Sequence, residues 1–157
     1  MKIILGKFLC ITALVFGMSF GLQDFSKISL FISPASFGFI IVATIGALVI
    51  GFQGYFISSI TLLWKWNSRN PVVDKQVLAN GIQFWKAAKR YAVVFGFVGT
   101  MIGMIFVLHE IGKDDLSGFG PAISFALITL FYGLILGYVE FDPIICLLEK
   151  QKTKLKK

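Results

Sequence analysis

Residues 96–143 are two apolar runs joined by a short polar loop, and the groups able to hydrogen-bond nearest the middle of those runs are Thr100, Thr129 and Tyr132, with Glu140 and Asp142 near the end. Hydroxyls set in such surroundings can offer a hydrogen bond to an ion or to water, but none of them titrates usefully near pH 7. No nucleophile lies beside a base and no phosphate-binding glycine loop is present, so an enzyme is not expected. Cys10 and Cys146 have no histidine nearby to complete a metal site, and both read as small apolar residues. No cofactor and no bound metal are expected. Counting about 100° per residue, Ala122, Ala126, Thr129, Gly133, Leu136 and Glu140 fall within one narrow arc. Gly96, Gly99, Thr100, Gly103 and Val107 share one face of the preceding run. Gly96, Gly99, Gly103, Gly133 and Gly137 are therefore the candidate packing glycines. Small residues at this spacing let two helix backbones approach closely.

The elements that carry these residues follow from composition. The chain has 157 residues, 57% of them hydrophobic, with 17 Phe and only 15% charged. Soluble domains are nearer a quarter charged. A water-soluble fold of this size could not hide so many large apolar side chains, so the surplus faces lipid. The formal charge of +7 does not point to nucleic acid, because of where it sits. Of the 15 Lys and Arg, all but Lys27 and Lys113 lie at the N-terminus, in residues 65–90 or in the tail 150–157. That asymmetry places both termini in the cytoplasm and the basic loops against anionic lipid headgroups.

In chain order, residues 3–22 are apolar and about long enough to span a bilayer. Their positive start and the small residues Ser19 and Gly21 fit either an uncleaved first helix or a signal peptide. Residues 28–64 are almost uninterruptedly apolar. The charge rule favours one tilted helix starting near Pro34 and continuing past the membrane through Trp66, over two spans split at Gln53-Gly54. Residues 65–90 form a short basic segment. Asn67-Ser68-Arg69-Asn70-Pro71 signals a turn, and 72–90 suit an amphipathic helix with Val77, Leu78, Ile82, Trp85 and Ala88 on its apolar side. It reads as an interfacial helix lying under the membrane, or as a docking surface for a cytoplasmic partner. A third span at about 91–110, an outer loop and a fourth span at about 120–147 follow. Together 91–147 make a tight hairpin, and 148–157 a charged tail. His109, Glu110, Asp114 and Asp115 read as ordinary interfacial and loop polar residues, with a proton-entry role the sharper alternative for the first two. The expected fold is all-α, with four transmembrane helices, or three if the first run is a cleaved signal.

The hairpin resembles the last two helices of the MotA/TolQ/ExbB proton-channel family, its flagellar stator branch most closely. The matching pieces are Gly99-Thr100-Met101-Ile102-Gly103, Gly120-Pro121-Ala122, Ala126-Leu127-Ile128-Thr129 with Tyr132-Gly133, and Phe141-Asp142-Pro143-Ile144. The stretch around Pro34 and Gly46-Ala47-Leu48 looks like the family's second helix. This resemblance implies an inner-membrane subunit, pentameric, around a partner with one transmembrane helix that carries an essential Asp. It implies proton rather than sodium transport, since sodium-type relatives carry threonine where this chain has Leu130. Thr100 and Thr129 would then flank the partner carboxylate, with the third and fourth spans lining the inside. Pro121 and Pro143 match the family's prolines at the two ends of the fourth helix. The flagellar branch has a much longer cytoplasmic insertion, with the charges that push on the rotor, and residues 65–90 carry no counterpart to it.

A carboxylate at mid-depth is missing from both hairpin spans, so proton conduction would need a titratable group from elsewhere, bare charge in hydrocarbon being costly. Each candidate also has a plainer reading. Threonine in a membrane helix often bonds back to its own backbone. Glu140 suits a proton exit or a headgroup-level carboxylate paired with the basic tail. The expected function is a channel subunit coupling the proton gradient to mechanical work. The alternative is a non-conducting scaffold that kept the hairpin.

Overall fold

The computed structural model describes residues 12, 13, 16, 32–66, 75–111 and 118–154. The rest of the apolar run 3–22, the turn at 67–71 and the outer loop with Asp114 and Asp115 lie outside them. The described residues form helices joined by turns. α1 runs Pro34–Gly51, α2 Phe56–Trp66 and α3 Lys75–Ile111. α4 covers Phe119–Leu134, a π-helical segment π1 covers Ile135–Phe141, and α5 covers Asp142–Lys154. Among the described residues, three stretches are long and apolar enough to cross a membrane: Pro34–Gly51, Lys75–His109 and Phe119–Lys154.

α1 starts where the sequence places it. The Ser33 hydroxyl accepts from the Ser36 N–H at 3.3 Å, and Pro34 occupies the first turn, where its missing donor costs nothing. At 18 residues, the helix is about 27 Å long, close to the ~30 Å hydrocarbon layer. The expected single helix through Trp66 is nevertheless interrupted. The Phe52 N–H still bonds to Leu48 O at 2.9 Å, but the chain then turns, Tyr55 N–H to Phe52 O at 2.9 Å, and restarts as α2. Glycine at 54 adds no side chain to hold the helix through this turn. With 11 residues, α2 is too short to span, so the break does not create an extra crossing.

A second departure concerns residues 72–90. The amphipathic segment and the third span are one helix of 37 residues, not an interfacial helix followed by a separate crossing. At about 1.5 Å per residue it is roughly 55 Å long, so it must project well beyond the hydrocarbon. No proline lies between Pro71 and Pro121 to stop it. Leu78, Ile82, Trp85 and Ala88 face inward as expected, while Val77 is exposed and Phe84 and Ala87 are buried instead.

α3 and the Phe119–Lys154 helix pack antiparallel. Gly103 meets Ala126, Gly96 meets Gly133, Gly137 meets Val93, and Lys86 reaches Glu149. α1 lies across this pair, and α2 runs on along the projecting half of α3. There Phe52 and Phe56 stack edge-on against Phe84 with ring centres 5.5 and 5.6 Å away. Trp85 joins Phe84 to Phe141 at 5.4 and 5.6 Å. This aromatic knot, with Leu48, Leu78, Ile145 and Leu148, is the core of the projecting half. Beyond it, α3 exposes Phe97, Met101, Ile105, Phe106 and Leu108, a face fit for lipid or for another subunit.

The fourth span also differs from expectation, because Pro143 lies inside a continuous helix and not at its end. Proline lacks a donor and crowds the carbonyl one turn back. π1 precedes it directly, and the Asp142 N–H reaches back to Gly137 O. The wider turn relieves the crowding without breaking the rod. Pro121, by contrast, sits in the first turn of α4, where the missing donor is harmless.

The hairpin seam as a candidate ion-path site

The seam begins with glycines that let the helix backbones touch. A Cβ added to Gly103 would stand 2.7 Å from Ala126 Cα, and one on Gly96 would stand 3.0 Å from Gly133 Cα. A Cβ on Gly99 would strike the Thr129 side chain at 2.8 Å. Such closeness is how helices associate when lipid gives apolar side chains no reason to cluster.

Closeness also brings the two hydroxyls together. Thr100 Oγ1 donates to Gly96 O at 3.0 Å or across the seam to Ala126 O at 2.9 Å. Thr129 Oγ1 donates to Phe125 O at 3.0 Å or to Ala126 O at 2.9 Å. One hydroxyl has one proton to give, so each threonine shares it between two acceptors, and the Ala126 carbonyl is common to both. Thr129 has 0% exposure. Its hydroxyl is enclosed by its own chain, whereas Thr100 is only half-buried. The small-residue faces of the two helices are thus turned toward each other within one chain, and not toward an open interior.

The other candidates stand apart from this pair. The Tyr132 hydroxyl accepts from the Ser33 N–H at 3.2 Å, and its ring meets Phe37 edge-on at 5.5 Å. It ties α4 to the start of α1. Glu140 belongs to π1, where hydrogen bonds span five residues and each residue turns through less than the α-helical angle. The phase therefore slips. Gly137 faces Lys89 and Val93 in the seam, while Leu136 turns toward α1 and α2. Glu140 accordingly leaves the arc that the simple count drew through Thr129 and Gly133. Among the described residues no cluster of three His, Cys, Asp or Glu could hold a metal.

Two ion pairs escaped sequence reading. Lys89 Nζ lies 2.6 Å from Asp142 Oδ1 and 4.2 Å from the Tyr138 ring centre. Lys86 Nζ lies 2.6 Å from Glu149 Oε1. The spacing of Lys86 and Lys89 by three along α3 could have hinted at a matching acidic stripe, but nothing local identifies its partners. Both pairs are partly exposed to solvent. We expect Lys89→Met to cost no more than about 1 kcal/mol in detergent melts, less in high salt. A large, salt-insensitive loss would show that the pair is a buried strut.

Two antiparallel apolar helices knit by glycine and threonine, with a third laid across them, define a multi-pass membrane protein of the channel-hairpin type. The pattern of the MotA/TolQ/ExbB proton channel family matches residues 72–156, more than half the chain, and this chain belongs to that family, on its stator-like side. Its relatives include a motility protein A of Borreliella burgdorferi, 35% identical over 47% of this chain and 28% of that protein. Another is the chemotaxis protein PomA of Vibrio alginolyticus, 36% identical over 41% of this chain and 24% of the relative. The chain thus spans only about a quarter of the length of these two. A solved structure of the flagellar MotAB stator complex from Bacillus subtilis superposes with a TM-score of 0.77 at 21% identity. The superposition covers 96% of this chain and 82% of that one, and establishes a common fold.

Proposed function

We propose that this chain is the wall-forming subunit of an inner-membrane proton channel that couples the proton gradient to mechanical displacement of a partner. The observation that carries this reading is that the family match falls on α3, α4, π1 and α5, the hairpin that brings Thr100 and Thr129 onto one carbonyl. No Asp or Glu lies between residues 75 and 109 or between 116 and 139, so the titrating group inside the membrane comes from a second polypeptide. A single-span protein with an intramembrane Asp fills that requirement, with several copies of this chain, five by resemblance, around it. Each proton falling through ~100 mV releases ~2.3 kcal/mol for movement of the partner. Thr100 is the hydroxyl nearer the open side, and Thr129 backs it by holding the shared carbonyl. Both termini face the cytoplasm, where the basic segments meet anionic lipid.

Proton flux into vesicles holding this chain and such a partner tests the proposal. We expect flux to vanish when the partner Asp becomes Asn and to fall strongly in Thr100→Val and Thr129→Val. Flux indifferent to all three changes removes the channel reading. The enclosure of Thr129 favours, as the second reading, a non-conducting scaffold in which both hydroxyls only fasten the seam. In that case the threonine variants would lower melting temperature while vesicles carry no flux at all.

A further inference from the structure

Beside the polar end of the seam, a groove of about 270 Å³ opens between α3 and π1, lined by Lys86, Lys89, Arg90, Val93, Val94 and Tyr138. Its charged half can be reached from outside. The side chains of Lys86 and Lys89 are 55% and 26% exposed, and Arg90 is exposed. Its apolar half is Val93 and Val94, about one turn farther along α3. Lys86 and Lys89 each hold a carboxylate at 2.6 Å, Glu149 and Asp142. Arg90 holds none among the described residues, and its guanidinium lies against the Tyr91 ring, 5.6 Å from the ring centre. Three cations thus meet two carboxylates, and the groove keeps one positive charge. An ammonium has three N–H groups and a guanidinium five, so donors remain once the ion pairs are made.

Depth and shape select the acceptor. From Tyr91 to Leu108 α3 carries no charged residue, so Arg90 stands at the boundary of its apolar run. The end of α1 lies at the same level, since a Cβ on Gly51 would come 3.9 Å from the Tyr91 hydroxyl. At such a boundary a bilayer presents its phosphates, with acyl chains running toward the apolar side. Along the groove the cations lie on the polar side of that boundary and the valines on the apolar side. A fitting ligand has one negative charge at one end and hydrocarbon at the other. An acidic peptide would supply the charge but would set backbone amides against the valines. Free phosphate would leave the valines bare. A zwitterionic phospholipid would bring an ammonium among three cations.

We infer that this groove binds one phospholipid with a single net negative charge, of which phosphatidylglycerol is a simple case. Its phosphodiester oxygens accept from the Arg90 guanidinium fork and from the spare N–H groups of Lys86 and Lys89, and the start of an acyl chain lies on Val93 and Val94. The site rests on the contact of the basic segments with anionic lipid proposed above, and gives it one defined place. The full-length chain, purified in mild detergent, is offered equal amounts of phosphatidylglycerol and phosphatidylcholine, and the lipids it retains are counted by native mass spectrometry. Expected is one phosphatidylglycerol held per chain in preference to phosphatidylcholine. Arg90→Gln should lower that retention about tenfold, and Arg90→Lys, which keeps the charge without the fork, should lower it less. Lys150→Gln with Lys152→Gln and Lys154→Gln, remote from the groove, should leave it nearly unchanged. Equal retention of the two lipids overturns the inference, as does retention that survives Arg90→Gln. Retention lost with the tail lysines but kept in Arg90→Gln removes the site and leaves the broad surface contact standing, whereas no phosphatidylglycerol on any form removes both. Displacement by water-soluble glycerophosphoglycerol as readily as by the lipid would mark a free-phosphate site, and displacement by polyglutamate a peptide site; either overturns it. Arg90 is exposed, so its variants should melt with the unmodified chain. Should Arg90→Gln not do so, Arg90→Lys and the two displacement assays decide.

Discussion

Gly133→Ala is expected to part the two long helices and to cost about 1–3 kcal/mol. A methyl there would stand 2.7 Å from Ala92 O and 2.8 Å from Gly96 Cα. Both are backbone atoms, so no side chain can swing away and the helices themselves must separate. Separation would pull Thr129 from the seam and weaken the contact that brings Thr100 to Ala126 O. Two comparisons make the result specific. At Gly81 the added carbon meets only Leu62 Cδ1, the tip of a flexible side chain, so Gly81→Ala should cost less. At Gly46 nothing lies within 4 Å, and Gly46→Ala should be neutral or gain up to about 1 kcal/mol from helix propensity. Thermal melts in mild detergent rank the three variants. If Gly133→Ala melted with the unmodified protein, the close approach of the helices would not be what holds the hairpin.

The second large effect is expected at Phe84, which is 2% exposed and touches Phe52, Phe56 and Trp85. Truncation to alanine removes the centre of the aromatic knot and should cost about 3–5 kcal/mol. The loss should be local in character. α2 meets α3 through Phe56 against Phe84 and Leu62 against Gly81, and removing the first contact ought to let brief proteolysis cut Phe84→Ala within 56–66 while the hairpin survives. Phe84→Leu, which keeps most of the volume, should recover much of the protection. A protease map unchanged by Phe84→Ala would show that α2 is held by other contacts.

Much of the hairpin was legible because its physics is periodic. Gly96, Gly99 and Gly103 repeat at helical spacing, and Pro34 marks a first turn that the Ser33 cap then completes. Composition alone demanded lipid. What stayed hidden depended on atoms distant in sequence or on departures from a uniform helix. π1 shifts the phase after Leu134, so a count at constant angle carried Leu136 and Glu140 into the seam and left Gly137 off its centre. The ion pair of Lys89 with Asp142 joins residues 53 apart, and neither residue announces the other. The continuity of α3 was visible in principle, since no proline interrupts it. The basic character of 72–90 points to a surface helix, while the missing stop signal points to a continuous one. The candidate ion-path residues were found as residue types, yet their arrangement was not. Thr129 is sealed, Tyr132 accepts from the Ser33 N–H at the start of another helix, and Thr100 is half-buried.

One consequence of the uninterrupted α3 is mechanical. A helix about 55 Å long, held at the Gly96–Gly103 seam by α4 and flanked farther along by α2 and α5, has no joint between its apolar and polar arms. A tilt imposed at one end would therefore emerge at the other, at the polar surface near Lys75.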